Sequence, residues 1–333
     1  MSTFVPFVEI WRGDFLECVH NGQAVVVDTS GNIVEAWGDS DAVMLPRSSC
    51  KMIQALPLIE SGAADAYGLS SEQLALSCAS HNGAHIHTDR VNSWLSDLGL
   101  ADDDFRCGPQ TPADPEARDE LTCAHEKPCQ VHNNCSGKHA GFLTLNKHLG
   151  GGAEYLEADH PVQLAVRAAH EELTGMTSPG YVIDGCSAPN FSTSLYGLAR
   201  AMSFFAGAEE GKSTRDNAAV RLRNAMMTHP DLVAGEGRAC TELMREMGGK
   251  AAIKTGAEGV FTAILPEKGL GIALKIQDGA TRASECAMAA LLARYGVLDP
   301  ESPAARKRMN VPLLNRRKID CGIIKPASEI AYS

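Results

Sequence analysis

The sequence predicts an α/β (α+β) fold in which an antiparallel sheet is flanked by helices. Strand-like runs separated by turn residues fill residues 4–37, and a β-hairpin follows near the other end of the chain, over 259–276. Helical patterns dominate the residues between them. Because the strands come from both chain ends, we expect a single domain. Its sheet lobe comes from about 1–46 and 230–333, and its mostly helical lobe from about 47–229.

Turn and capping residues place the individual elements. Asn21-Gly22 and Ser30-Gly31-Asn32 predict turns between four short strands, which are Val8 to Trp11, Phe15 to Cys18, Ala24 to Asp28 and Ile33 to Trp37. Serines followed by Glu72 and Gln73 predict a helix start. The predicted helices are Ser48 to Ser61, Ser71 to Ala79, Thr88 to Leu98, Ala140 to Asn146, 161 to 173, Leu195 to Phe205, Asp216 to Met227 and Ala283 to Tyr295. Tyr181 to Cys186 is typical of a buried strand that ends in a turn.

Composition excludes several classes of function. The chain has 333 residues, 44% of them hydrophobic, so it can bury a large core. A net charge of −11 without a basic stripe argues against nucleic-acid binding. Neither a signal peptide nor an apolar run of membrane-spanning length is visible, so we expect a cytoplasmic protein with no membrane partner. In that compartment the eleven cysteines should be reduced thiols, and metal binding is a better interpretation than disulfides.

Three short motifs indicate acyl transfer. Ser48-Ser-Cys-Lys51 places a serine and a lysine three residues apart at a predicted helix start, where they share one face. A neutral lysine there could take the serine proton and leave a nucleophile. Ser80-His-Asn82 and Lys254-Thr-Gly256 follow in the chain. The order S-x-x-K, S-x-N, K-T-G is the signature of serine–lysine acyl-transfer enzymes, and all three by chance are much less common than one.

A second constellation suggests a metal. Asn133-Asn-Cys-Ser-Gly-Lys-His139 leads into a predicted helix, with Cys135 and Lys138 one turn apart at its start. Asp184-Gly-Cys186 follows a predicted strand and supplies a second thiolate candidate. The neighbouring cysteines and histidines from Cys123 onwards fit neither a zinc-finger spacing nor a cytidine-deaminase spacing.

Taken together, these motifs and the run Lys254 to Gly259 resemble the Rhizobium-type (class 3) L-asparaginases over nearly the whole chain. The resemblance implies a serine β-lactamase/glutaminase-like fold, usually as a homodimer. It also implies two Ser–Lys pairs, Ser48 with Lys51 and Ser80 with Lys254. Finally, it implies a zinc ion held by Cys135, Lys138 and Cys186.

Amide hydrolysis needs a nucleophile, a base, and a proton donor for ammonia. We expect Ser48 to attack the side-chain amide of L-asparagine and Lys51 to accept its proton, because a helix N-terminus favours developing negative charge. Ser80 and Lys254 could relay the proton to ammonia. Zinc, if bound, should orient the substrate rather than activate water. Four side chains are predicted to bind substrate, with Asp184 on its α-ammonium: Asp184, Arg47, Asn82 and His139.

Two alternatives stay open at this point. A glutaminase or another Ser–Lys amidase is the first, because one methylene is worth only about 1–3 kcal/mol of discrimination. A zinc-stabilised binding protein without catalysis is the second, and it would have a closed four-ligand metal site with Ser48 far from Lys51 and Ser80.

Overall fold

The computed structural model describes residues 4–332, which divide into two compact units. The sheet unit comprises residues 4–49, 193–207 and 242–332, and the helical unit comprises 50–192 and 208–241. These ranges differ from the predicted lobes in three places. Residues 47–49 and 193–207 were predicted in the helical lobe and lie in the sheet unit, and residues 230–241 show the reverse.

Most strands of the sheet unit form one antiparallel sheet in the order β11-β12-β1-β2-β10-β9-β8, with β3 paired to β2. The strands of this sheet are β1 (Val5–Arg12), β2 (Phe15–Asp28), β3 (Ile33–Trp37), β8 (Ala252–Thr255), β9 (Val260–Leu265), β10 (Leu270–Ile276), β11 (Val311–Leu314) and β12 (Asp320–Pro326). β4 (Val43–Met44) pairs with β7 (Thr193–Ser194) in the same unit. Strands from both ends of the chain thus form one sheet, as the sequence predicts.

Helices cover this sheet. They are α8 (Leu195–Gly207) and α12 (Thr281–Arg294). The short helix α13 (Pro303–Arg306) belongs to the same unit, and α11 (Ala239–Met247) contains the boundary at residue 242. Strand β10 approaches α8 so closely that a Cβ on Gly271 would lie 2.4 Å from the Ala199 carbonyl oxygen. This contact explains why α8 belongs to the sheet unit. An apolar helix buries more nonpolar surface against a strand when a glycine in that strand lets the two backbones approach closely.

One predicted turn is wrong. Asn21-Gly22 lies inside the 14-residue strand β2, where the sequence suggested a turn between two strands. Gly22 sits against the Phe7 ring, because a Cβ there would lie 2.4 Å from the Phe7 Cδ2 atom. A glycine within a strand often marks such a close approach, but an Asn-Gly pair is also typical of a hairpin turn, so the local pattern predicts the wrong structure here.

The helical unit is built around α1 (Lys51–Glu60), in which nine of ten residues are buried, including Lys51 and Gln54. The other helices are α2 (Ala63–Ala66), α3 (Ser71–Ser77), α4 (His85–Asp97), α5 (Pro115–Cys123), α6 (Ser136–Leu149), α7 (Pro161–Thr174), α9 (Thr214–Thr228) and α10 (Pro230–Val233). α1 packs against α6, α7 and α9. The predicted helix start at Ser70 is a capping box with Gln73.

A short hairpin of β5 (Tyr181–Ile183) and β6 (Pro189–Phe191) completes the helical unit. The prediction that Tyr181 to Ile183 form a buried strand is wrong, because all three residues are exposed. The predicted class, an antiparallel sheet with helices and a mostly helical middle region, is confirmed. Within residues 4–332, none of the helices has the length and apolar character needed to span a membrane.

Candidate active site

The serine of the S-x-x-K motif lies in a one-turn 3-10 helix, Arg47–Cys50, which runs directly into α1. Ser48 is half-buried, while the hydroxyl of the neighbouring Ser49 is buried and donates to the Pro46 carbonyl at 2.7 Å. Arg47 has a φ of +52°, in the left-handed region that non-glycine residues seldom adopt. The backbone before Ser48 is therefore held in an unusual conformation by its surroundings.

The K-T-G motif lies beside this turn in the sheet unit. Lys254 is fully buried on β8, and its amine donates to the Thr255 carbonyl at 2.8 Å. A Cβ on Gly256 would lie 2.9 Å from the Pro46 carbonyl oxygen and 3.2 Å from the Ser49 nitrogen. The turn that carries Ser48 and the strand that carries Lys254 are thus in direct contact.

A buried threonine bridges the same two segments. The Thr262 hydroxyl on β9 donates to the Ser49 carbonyl at 3.0 Å and lies 3.3 Å from the Lys254 carbonyl. The one hydroxyl proton serves the Ser49 carbonyl, and the same side chain lies against the backbone of both motifs.

In the helical unit, the lysine of the S-x-x-K motif contacts the S-x-N segment and the cysteine cluster. The Lys51 amine donates to the Ala79 carbonyl and, at 3.1 Å, to the Cys135 sulfur. Because Ala79 directly precedes Ser80, Lys51 is held between two of the predicted motifs.

The S-x-N triplet is fixed by its central histidine. The His81 backbone N–H donates to the Asn134 carbonyl at 3.0 Å, and its Nε2 contacts the Ser136 hydroxyl at 2.9 Å. His81 Nδ1 accepts from the Gly83 N–H at 3.2 Å, so the proton of the neutral ring is on Nε2. Burial holds the pKa of His81 well below its ordinary value, which keeps the ring neutral.

Cys135, Lys138 and Cys186 converge in a buried cluster. The Lys138 amine donates to the Cys186 sulfur at 3.0 Å, and the Cys135 thiol donates to the Asn134 Oδ1 atom at 3.0 Å. Interaction between the two thiols raises the pKa of Cys135 and lowers that of Cys186. Burial acts to lower the pKa of Lys138, but the charges of Cys186 and Cys135 outweigh it, and the net shift is upward.

The donors of this cluster fit a zinc ion. Two sulfurs and one amine meet away from solvent, and sulfur ligands suit zinc. In the part of the chain that the structure describes, no group of three or more His, Cys, Asp or Glu side chains could hold a metal. A metal site at this cluster therefore depends on Lys138 as the third ligand.

The remaining predicted binding residues have different surroundings. Asp184 follows β5 in a tight turn and is half-buried; its carboxylate accepts from the Gly185 N–H at 2.8 Å. Asn82 is buried, and its amide donates to the Asp114 carboxylate at 3.3 Å. His139 is fully buried against aromatic rings, its Nδ1 lies 2.9 Å from the Tyr155 hydroxyl, and burial lowers its pKa to about 4.

The model of the L-asparaginase II family matches residues 8–326, which include every segment described above. The chain belongs to the L-asparaginase II family. No curated protein matches the sequence.

Solved structures provide more distant similarities to this L-asparaginase II family member. Mglu in its native form is 13% identical with a TM-score of 0.45, and the match covers 84% of this chain and 66% of that one. A beta-lactamase from Mycobacterium bovis is 13% identical with a TM-score of 0.45, covering 82% of this chain and 94% of that one. A beta-lactamase/D-alanine carboxypeptidase from Pseudomonas syringae is 11% identical with a TM-score of 0.40, covering 79% and 90%. The chain thus spans slightly less than two thirds of the length of Mglu.

Within each unit, this family member brings the predicted residues together. The sheet unit joins Ser48 and Lys254 through their backbone segments, and the helical unit joins Lys51 with the cysteine cluster. The bridging role of Thr262 and the contact of Lys51 with Cys135 were not predicted. No local pattern marks either of them, because the partners lie 213 and 84 residues apart in the chain.

Proposed function

We propose that this chain is a Rhizobium-type (class 3) L-asparaginase, which hydrolyses L-asparagine to L-aspartate and ammonia. The observation that carries the proposal is the packing of Gly256 against the Ser48 turn, which joins the S-x-x-K serine to the K-T-G strand. Serine–lysine acyl-transfer enzymes use these two motifs together. Membership of the L-asparaginase II family supports amide hydrolysis as the reaction.

In the proposed reaction, the Ser48 oxygen attacks the side-chain amide carbon and its proton passes to the Lys51 amine. The tetrahedral intermediate collapses to an ester on Ser48 when the C–N bond breaks. Ammonia leaves with a proton relayed through Ser80 and Lys254. Water then attacks the ester and gives one of its protons back to Ser48, and L-aspartate departs.

Substrate recognition is assigned to charged and polar groups at the ends of elements. Asp184 binds the α-ammonium and Arg47 the α-carboxylate, because opposite charges with hydrogen-bonding geometry are the strongest polar contacts. Asn82 and His139 complete the predicted set. Their hydrogen bonds to Asp114 and Tyr155 hold both side chains in fixed orientations.

Zinc is part of the proposal. Cys135, Lys138 and Cys186 would hold the ion and leave one tetrahedral position open for the substrate. A zinc ion bound there would act as a Lewis acid that orients a polar substrate group. The hydrogen bond between Lys51 and Cys135 also ties this cluster to the proposed base. We further propose a homodimer, as the resemblance implies.

Ammonia release from L-asparagine, L-glutamine and a β-lactam tests the function. We expect L-asparagine to be the best substrate, and preference for L-glutamine or the β-lactam would replace our assignment with a glutaminase or a β-lactamase. Covalent catalysis predicts that Ser48→Ala lowers asparagine turnover by at least about 10³-fold without unfolding the protein. The control is Ser49→Ala, which removes the adjacent hydroxyl committed to Pro46. Near-normal turnover by a folded Ser48→Ala protein would disprove the assignment of the nucleophile.

A further inference from the structure

A short segment of the helical unit, residues 230–235, lies against the S-x-N triplet. It consists of α10 and the two residues that follow it. The Ser80 N–H donates to the Val233 carbonyl at 2.9 Å. Gly235 lies so near the Asn82 side chain that a Cβ on Gly235 would be 2.5 Å from the Asn82 Cγ atom. The 230–235 segment therefore contacts both outer residues of the triplet, which are the two assigned to the proposed reaction.

The central residue of the triplet is tied to the same segment through a second histidine. The His81 and His87 rings stack with their centroids 4.7 Å apart and their planes 9° from parallel. His87 is fully buried, and its Nε2 atom lies 2.9 Å from the Asp231 carbonyl oxygen. A carbonyl oxygen can only accept, so Nε2 carries the proton and donates it. Asp231 therefore holds the ring on which His81 rests.

Position 235 requires a glycine. Its φ is +110°, in the region that favours glycine, and the Asn82 amide occupies the space that a Cβ would need. The backbone of Gly235 thus forms a wall against the Asn82 side chain. A shift of this backbone would move the wall and leave Asn82 free to turn.

The Thr241 hydroxyl connects the two ends of the 230–235 segment. It donates to the Pro230 carbonyl at 3.0 Å and accepts from the Gly235 N–H at 3.1 Å. Thr241 is fully buried, and a buried backbone group that loses its hydrogen bond is costly because water cannot replace the partner. One side chain therefore holds both ends of the segment in place.

We propose that Thr241 is a positioning residue whose hydroxyl, by closing the 230–235 segment, sets the positions of Ser80 and Asn82. This inference rests on the proposed function, in which Ser80 relays a proton to ammonia and Asn82 binds the substrate. A misplacement near 1 Å at a reacting group can cost about 100-fold in rate. A hydroxyl that does not touch the substrate should therefore affect turnover.

The experiment compares Thr241→Val with Thr241→Ser. Valine has nearly the shape of threonine but lacks the hydroxyl, so Pro230 and Gly235 both lose their partner. Thr241→Val should lower kcat/KM for asparagine about 10-fold, whereas Thr241→Ser keeps the hydroxyl and should stay within about threefold of wild type. If Thr241→Val does not fold, Thr241→Cys takes its place in the same comparisons, because a thiol is a weaker donor.

Thr144→Val is the matched control. Thr144 is also fully buried in the helical unit, and its hydroxyl likewise joins a donor and an acceptor. It accepts from Trp94 Nε1 at 3.0 Å and donates to the Ala140 carbonyl at 2.8 Å. Thr144→Val should lower the urea midpoint about as much as Thr241→Val and leave kcat/KM unchanged. An equal loss of kcat/KM in both valine variants would reduce the role of Thr241 to general stability.

Hydrogen exchange separates this proposal from the proposed function. Under native conditions, Thr241→Val should speed amide exchange in the peptide that contains Ser80, because the bond to Val233 opens more often, and Thr144→Val should not. If the wild type does not hydrolyse asparagine, the proposed function fails and the exchange result decides by itself whether Thr241 positions the triplet. Unchanged exchange in Thr241→Val, or faster exchange together with normal turnover, would overturn the positioning role.

Discussion

Gly256→Ala should disturb the active site through a single methyl group. The new Cβ would lie 2.9 Å from the Pro46 carbonyl oxygen, 3.2 Å from the Ser49 nitrogen and 3.3 Å from the Ser49 Cβ. All three distances are shorter than the about 3.5–4 Å of favourable contact. Two of the three atoms belong to backbone, so no rotation of a side chain relieves the overlap.

The size of the effect of Gly256→Ala depends on how easily the Ser48 turn can move away from the new methyl group. Ser49 is held by the Thr262 hydroxyl and by the 3-10 turn itself, so the turn resists displacement. Overpacking of this kind costs about 1–3 kcal/mol of unfolding free energy. A shift of several tenths of an ångström in the Ser48 turn should also lower kcat/KM for asparagine by about 10- to 100-fold, because a misplacement near 1 Å can cost 100-fold.

Urea unfolding and ammonia release measure the two effects on the same protein. Gly152→Ala is the matched control. A Cβ at Gly152 meets nothing within 4 Å, and its backbone is outside the left-handed region. The control should change stability by no more than about 0.5 kcal/mol and leave turnover unaltered. If Gly256→Ala behaved like Gly152→Ala in both measurements, the contact between the K-T-G strand and the Ser48 turn would not matter for catalysis.

Two further predictions concern the metal and the pH dependence of stability. Elemental analysis should show that Cys186→Ser has lost zinc and that the control Cys240→Ser has kept it, and Cys186→Ser should need a higher asparagine concentration for turnover. A wild-type protein without metal would refute the site. A loss of saturated turnover in Cys186→Ser as large as in Ser48→Ala would refute an orienting role for zinc. Burial lowers the pKa of His170 to about 4 from an ordinary value of 6.5, so below pH 6.5 the unfolded chain binds a proton that the folded chain does not. Stability is therefore complete above pH 6.5 and falls toward pH 4. Urea midpoints of His170→Asn should depend less on pH in this window than those of the wild type or of the exposed-site control His148→Asn, and equal slopes would contradict the assignment.

Much of the local structure could be predicted because its signals are local. The capping box at Ser70 and Gln73 indicated the start of α3, and His160-Pro161 indicated the start of α7. The hairpin of β9 and β10 followed from two apolar runs around a turn. The same reasoning failed at Asn21-Gly22, because the Asn-Gly pair is typical of a turn, whereas Gly22 lies inside a strand against the Phe7 ring.

The residues of the candidate site could also be predicted from local patterns, but their roles could not. Ser48, Lys51, Ser80, Lys254 and the cysteine cluster could be named from the sequence, because each motif is a short pattern of reactive residue types at fixed spacing. Their roles as nucleophile, base and metal ligands stay predictions.

By itself, the sequence determined the fold class and the approximate positions of eight helices and of the strands near both chain ends, and it named the candidate reactive side chains, since these depend on residue type and on spacing within about a dozen residues. Only the tertiary structure decided that Thr262 lies against the backbone of Ser49 and Lys254 and that Gly256 packs against the Ser48 turn. The partners are up to 213 residues apart in the chain. They meet because the antiparallel sheet pairs strands from both chain ends, and the pattern within one segment carries no information about which distant backbone will pack against it.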